Sequence, residues 1–155
     1  MGSRSKTQLA YIAGFLDGDG SLMMQIKRRS DNGKARFMLT ICFYQDSRHA
    51  KPLVWIKRIL GIGYLSKRND NIAELRINGY KQVEEIVSSL LPFIKFKKIQ
   101  AETIVKAAHV LQKKKLLRGD LKKLVKYMLK IQSENYATKR KKSEKELLGI
   151  LGLTP

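Results

Sequence analysis

Residues 11–20 read Tyr-Ile-Ala-Gly-Phe-Leu-Asp-Gly-Asp-Gly, and this run constrains the fold more than any other stretch of the chain. Ala10, Ala13, Gly14 and Asp17 recur at helical spacing, so one face of a helix over residues 8–17 carries only small side chains plus a carboxylate. Such a face lets a second helix approach at backbone distance. Gly18 and Gly20 suit the special dihedrals of a chain reversal and should end the helix. A carboxylate at a helix C-terminus sits where the macrodipole already concentrates negative charge. Two such ends side by side would repel unless a hard divalent cation with oxygen ligands lay between them. The run therefore points to a metal site at a helix pair.

Charge narrows the function. The 155 residues carry 32 Lys and Arg against 13 Asp and Glu, a formal net charge of +19. A chain so basic repels its own copies unless a polyanion or a favourable interface compensates, and nucleic acid is the default partner. The charge is spread over strands, helices and loops rather than gathered on one amphipathic helix, which argues against a membrane surface. No apolar stretch approaches the ~20 residues of a membrane span. Residues 1–6 lack the apolar core of a signal peptide, and Lys6 stands where a myristoylation signal has Ser or Thr. The lone Cys42 precludes an intrachain disulfide or a cysteine-rich zinc cluster. These features predict an intracellular protein, of a prokaryotic cytoplasm or an organelle, with no membrane and no further protein partner required.

Patterning predicts one domain over residues 1–155, with a core at about 7–112 and a helical segment at about 116–153. Thr7 is placed to cap the first helix. In the next run Leu22, Met24 and Ile26 alternate with Met23, Gln25, Lys27 and Arg29. An Asn-Gly turn follows, then Phe37, Leu39, Ile41 and Phe43 alternate with Arg36, Met38, Thr40 and Cys42. A helix over 47–60 ends at Gly61. Two further strands, near 63–68 and 72–78, turn outward Tyr64, Ser66, Arg68, Glu74 and Arg76. Helices follow at 81–91, 98–114, 121–135 and from Ser143. The fold class expected is α+β, in the order αββαββα plus C-terminal helices.

The decapeptide resembles the LAGLIDADG motif of homing endonucleases in its Gly-Asp-Gly variant, and the element order is similar to that family's single-motif members over nearly the whole chain. The resemblance implies a four-stranded antiparallel saddle whose polar face lies in the DNA major groove. A two-stranded ribbon with alternate long polar side chains is itself a shape that fits that groove. Arg29, Arg36, Arg68 and Arg76 have the fork geometry to read guanine, Gln25 can pair with adenine, and Glu74 can accept from cytosine. Met23, Lys27, Met38, Thr40, Cys42, Tyr64 and Ser66 share that face. The basic run Lys139, Arg140, Lys141 and Lys142 is expected on phosphates.

By the same resemblance Asp19 is a direct metal ligand, completed by the carbonyl of Gly18, and Asp17 is structural. The ion would be Mg2+ or Mn2+, with Ca2+ binding without supporting cleavage. Gln45 matches a residue that orders solvent near the scissile phosphate. Residues 91–101 resemble the segment that delivers an active-site lysine, which points to Lys97, with Lys98 its nearest rival. One departure stands out: four residues after Gln45, where relatives carry Arg or Lys, this chain has His49, with Arg48 beside it and favoured slightly for the role. One motif per chain implies a homodimer meeting at Ala10, Ala13, Gly14 and Asp17, and a roughly palindromic double-stranded DNA target. The expected function is a site-specific homing endonuclease that breaks both strands by metal-dependent phosphodiester hydrolysis. The alternative is a non-cleaving nucleic-acid binder such as an intron RNA maturase.

Overall fold

In the computed structural model, which describes residues 3–135 and 141–153, the first helix, α1, spans Lys6–Asp19. Its cap is Ser5 rather than Thr7. The Ser5 hydroxyl accepts the Gln8 N–H at 3.1 Å, and the Gln8 side chain accepts the Ser5 N–H at 3.0 Å, a reciprocal capping box. Just upstream, the Arg4 guanidinium donates to the carbonyls of Ile59 at 3.1 Å and Leu60 at 2.8 Å, tying the N-terminal segment to the end of a later helix.

Strand β1 is Gly20–Arg28 and β2 is Ala35–Asp46, antiparallel with Gly20 opposite Phe43. Strand β3 is Tyr64–Lys67 and β4 is Ile72–Asn78, and the sheet order is β1-β2-β4-β3. Between the hairpins the chain makes a 3-10 turn over Ser47–His49 before helix α2, Lys51–Leu60. The expected helix from 47 therefore starts four residues late. Asp46 accepts the Arg48 N–H and closes a separate turn, and Pro52 fits only the first turn of α2. Gly61, at φ 74°, takes the left-handed cap that ends α2. Helices α3 (Tyr80–Leu90), α4 (Lys98–Leu111), α5 (Arg118–Glu134) and α6 (Glu144–Ile150) complete the order. Among the described residues no helix is long and apolar enough to cross a membrane.

The helices cover one face of the sheet. Leu22, Met24, Phe37, Leu39, Ile41, Phe43, Leu75 and Ile77 point down into a continuous core with Ile12, Leu16, Ile86, Ile104, Leu124 and Leu147. Each such Leu, Ile or Phe contributes about 1.5–3 kcal/mol when fully buried. Among the described residues no helix covers the other face, which alternation made polar.

Gly20 explains how α1 meets the sheet. The motif's last glycine is extended, at φ −131°, so left-handed geometry is not its reason. A Cβ there would lie 2.9 Å from the Leu16 Cα and 2.9 Å from the Cys42 carbonyl oxygen. The turn out of α1 passes against the backbone of β2, and only glycine fits. Gly20→Ala is expected to lower stability by about 2 kcal/mol, by the cost of overpacking, and a denaturation midpoint equal to that of the wild type would refute this. Gly14 and Gly18 behave differently. A Cβ on either meets nothing within 4 Å, so nothing in their own chain requires them to be small.

Candidate active site and nucleic-acid interface

The end of α1 carries the two aspartates in opposite environments. The Asp17 carboxylate accepts three backbone N–H groups from the segment that precedes α4: Lys95 at 2.7 Å, Phe96 at 3.2 Å and Lys97 at 3.0 Å. In return the Lys97 ammonium donates to the Asp17 carbonyl at 2.6 Å, placing a cation on the negative end of the helix. The unfavourable position of Asp17 is thereby compensated, and Lys97 is delivered to the helix end that carries Asp19. Asp19 is exposed, and no described residue hydrogen-bonds or ion-pairs with its carboxylate.

Gln45 reaches the same neighbourhood from β2. It lies two residues beyond Phe43, the partner of Gly20, so the chain runs past the end of α1 at this point. Its side-chain oxygen accepts the Asp46 N–H at 2.9 Å. Arg48 is held by Asp46 through two contacts, Nε at 3.0 Å and Nη2 at 2.9 Å. The hydrogen bonds from Arg48 hold the Asp46 carboxyl far below the usual range. The Arg48 side chain is 80% exposed, and His49 beside it is exposed and makes no hydrogen bond or ion pair with a described residue.

The donor set at the helix end, one free carboxylate with backbone carbonyls, is hard oxygen and suits Mg2+. Among the described residues no three His, Cys, Asp or Glu groups converge to hold a metal. A single chain thus offers only part of a coordination sphere. Mg2+ is typically held in that way, by one or two carboxylates with phosphate oxygens and water.

The interface expected on α1 is corrected in phase. Ala13 is 0% exposed and packs into its own core with Ile12 and Leu16, so it cannot meet a partner helix. Asp17 turns to residues 95–97 and is likewise withdrawn. The exposed stripe is Thr7, Tyr11, Gly14 and Gly18, with Ala10 half-buried at its margin. Tyr11 stands edge-on to Trp55 of α2, with ring centroids 5.4 Å apart.

On the open face of the sheet, register sets three rows. Met23, Thr40 and Asn78 form one, Ser21, Cys42, Arg76 and Tyr64 the next, and Tyr44, Glu74 and Ser66 the third. Gln25 with Met38 and Lys27 with Arg36 extend the hairpin away from α1. Arg29 and Arg68 lie at turns, paired with Asp31 at 3.3 Å and Asp70 at 2.8 Å. Two expected contacts are covered. Thr40 is 1% exposed and donates to Asn78 Oδ1 at 2.7 Å, and Cys42 is wholly buried, its thiol pKa raised by that burial. Neither has an atom to offer a ligand. Ser21, Tyr44 and Asn78 were missed, although the period of two runs through each of them; the Ser21 and Tyr44 hydroxyls lie 3.1 Å apart. Lys141 and Lys142 are exposed, and Lys142 lines a groove with Met23, Gln25 and Lys27 of β1. Lys139 and Arg140 lie outside the described residues.

A four-stranded antiparallel sheet with a polar open face, fed by a helix that ends in an exposed Gly-Asp, is the arrangement that comparison with known proteins places in a family. The family model described as LAGLIDADG endonuclease matches residues 12–107, and the chain belongs to that family. Among curated proteins, it is 35% identical over 101 residues to the DNA endonuclease I-CvuI of Chlorella vulgaris, covering 63% of this chain and 62% of that one. It is 32% identical over 103 residues to the DNA endonuclease I-CreI of Chlamydomonas reinhardtii, covering 66% and 63%. The matched stretch thus spans a little under two thirds of the length of each. Among solved structures, I-CvuI in complex with its target superposes with a TM-score of 0.84 at 25% identity, over 96% of this chain and 97% of that one. An archaeal intron-encoded homing endonuclease, I-Vdi141I complexed with DNA, gives 0.80 at 25%, over 94% and 95%.

Proposed function

We propose that this chain is a site-specific DNA endonuclease of the homing type, acting as a pair of identical subunits on a roughly palindromic double-stranded target. The observation that carries the reading is the pairing at the end of α1: a free Asp19 carboxylate beside a lysine fixed to the same helix end through Asp17. A protein that only binds a polyanion gains nothing from an unpaired carboxylate facing it.

In this reading the sheet's polar face enters the major groove, and the exposed lysines at 141 and 142 reach flanking phosphates. Asp19 and the Gly18 carbonyl hold a divalent cation, Mg2+ or Mn2+. Bound there, the ion would neutralise the scissile phosphate, favour ionisation of the attacking water and stabilise the leaving oxygen. Lys97 meets the phosphate as a compact point charge, strongest where charge develops in the transition state. Gln45 has an amide able to orient the water. Arg48, whose exposed pair with Asp46 releases easily, is the cation favoured for the role that relatives fill with Arg or Lys, with His49 beside it as the alternative solvent-ordering group.

Two copies meet along Thr7, Tyr11, Gly14 and Gly18. The open space around both glycines is what close helix approach needs, and it brings one Asp19 from each chain to the centre. Gly14→Arg is expected to give a folded monomer by sedimentation, and a dimer of unchanged affinity would refute this surface.

The activity itself is tested by incubating the purified protein with a randomised plasmid library and Mg2+ and sequencing the cut ends. Recovery of one near-palindromic site, cut in both strands, is expected. Intact DNA at all Mg2+ and Mn2+ concentrations, with tight binding to folded intron RNA instead, would refute the nuclease and support a maturase.

A further inference from the structure

Four arginines have the reach to read bases from the sheet, and one is held differently from the rest. Arg29 and Arg68 pair with turn aspartates, and all four of those side chains are roughly half exposed. Such exposed pairs contribute little and release easily. Arg76 instead lies between neighbouring strands, its side chain 22% exposed, with Nη2 3.5 Å from Oε1 of Glu74, whose side chain is 12% exposed. That same Glu74 oxygen accepts the Ser66 hydroxyl of β3 at 3.3 Å. The carboxylate is thus braced from one strand while it holds a guanidinium on its own.

Row order adds the second observation. Arg76 shares its row with Ser21, Cys42 and Tyr64. Ser21 is short and Cys42 is buried, so Arg76 is the one cation that rises from this row. The row begins at Ser21, two residues from Asp19, and Arg76 stands two strand spacings from Ser21, about 10 Å.

We infer that Arg76 is the specificity-determining residue of the sheet's centre, a guanine reader, and that Glu74 is its positioning residue rather than a reader of cytosine. This deepens the proposed function and rests on its site-specific DNA binding. A pair of zero net charge adds almost nothing to non-specific attraction on a face this basic, so its value lies in geometry. An arginine fixed before binding keeps its fork aimed at one base edge and cannot swing to a phosphate when the base is wrong. A mismatched base then leaves desolvated donors without acceptors.

The test is selection of bound sites from a randomised duplex library, with every variant built in an Asp19→Asn background so that binding alone is read. The Asp19→Asn protein should recover a site with a strong guanine preference at one base pair of each half. Arg76→Ala should lose that preference by about 10- to 100-fold and leave the other positions within about twofold. Glu74→Gln, which can still accept from Ser66, should weaken the same preference by a few-fold while raising overall affinity, since one negative charge leaves the face. If Arg76→Ala proves unstable, Arg76→Lys keeps the cation and loses the fork, and should relax the same position. An unchanged profile in the Arg76 variants, a loss spread evenly over all positions, or an intact preference in Glu74→Gln would each overturn the assignment. Failure of the Asp19→Asn protein to select any site would instead overturn the functional reading beneath it.

Discussion

Asp19→Asn is expected to reduce cleavage by about three orders of magnitude or more while leaving binding to the selected site within a few-fold of wild type. The substitution keeps the shape of the side chain and removes the charge that a hard cation requires. A thousandfold loss corresponds to about 4 kcal/mol of transition-state stabilisation, within what a Lewis-acidic ion supplies. Stability should hardly change, because the carboxylate is exposed and no described residue depends on it. Relief of electrostatic repulsion from the phosphates should tighten binding slightly. Cleavage within tenfold of wild type, at saturating Mg2+, would place the metal elsewhere.

Asp17→Ala is expected to fail for a different reason, and the two aspartates should separate cleanly in experiment. Asp17 satisfies three backbone donors of residues 95–97. Removing it leaves the Lys97 donor part-buried without its acceptor and opens those of Lys95 and Phe96 to water, at a cost of about 1–2 kcal/mol in folding stability. The same loss loosens the segment that carries Lys97, so turnover at saturating DNA and metal should fall by about 10- to 100-fold even below the melting transition, as expected when a catalytic group is displaced. Asp17→Asn, which retains one acceptor oxygen, should be intermediate in both measurements. A variant as stable as the wild type that cuts at the wild-type rate would show that Lys97 does not depend on this anchor.

Several of these features were legible in the sequence because their causes are local. Alternation in residues 22–27 and 36–43 gave the two faces of the hairpin, and the Asn-rich turn before β4 contains Asn71, the one non-glycine residue with positive φ among the described residues. The Gly-Asp ending of α1 marked the exposed carboxylate directly. The rotation of α1 was not legible. Ala10, Ala13 and Gly14 are all small, so composition could not say which of them faces inward. Ile12 and Leu16, which flank Ala13 on the helix surface, decide it by their burial. The anchor between Asp17 and residues 95–97 was out of reach because it joins segments nearly eighty residues apart. Glu74 and Arg76 are two apart on one strand and so share a face, a signal that was present. What the sequence lacked was the depth of the pair and the brace from Ser66. Gly20 was read as a dihedral requirement, whereas contact with the backbone of β2 requires it.

The central claim is that each chain contributes one Asp19 to a shared centre and that a double-strand break needs both. Co-expressing wild-type and Asp19→Asn chains in known proportion, so that subunits pair at random, tests it most directly. At equal amounts of the two chains, the account predicts that double-strand cleavage per total protein falls to about a quarter of the wild-type value, following the square of the wild-type fraction. A fall to about a half, in proportion to the wild-type chain present, would mean that one subunit carries a complete catalytic centre, and would contradict it.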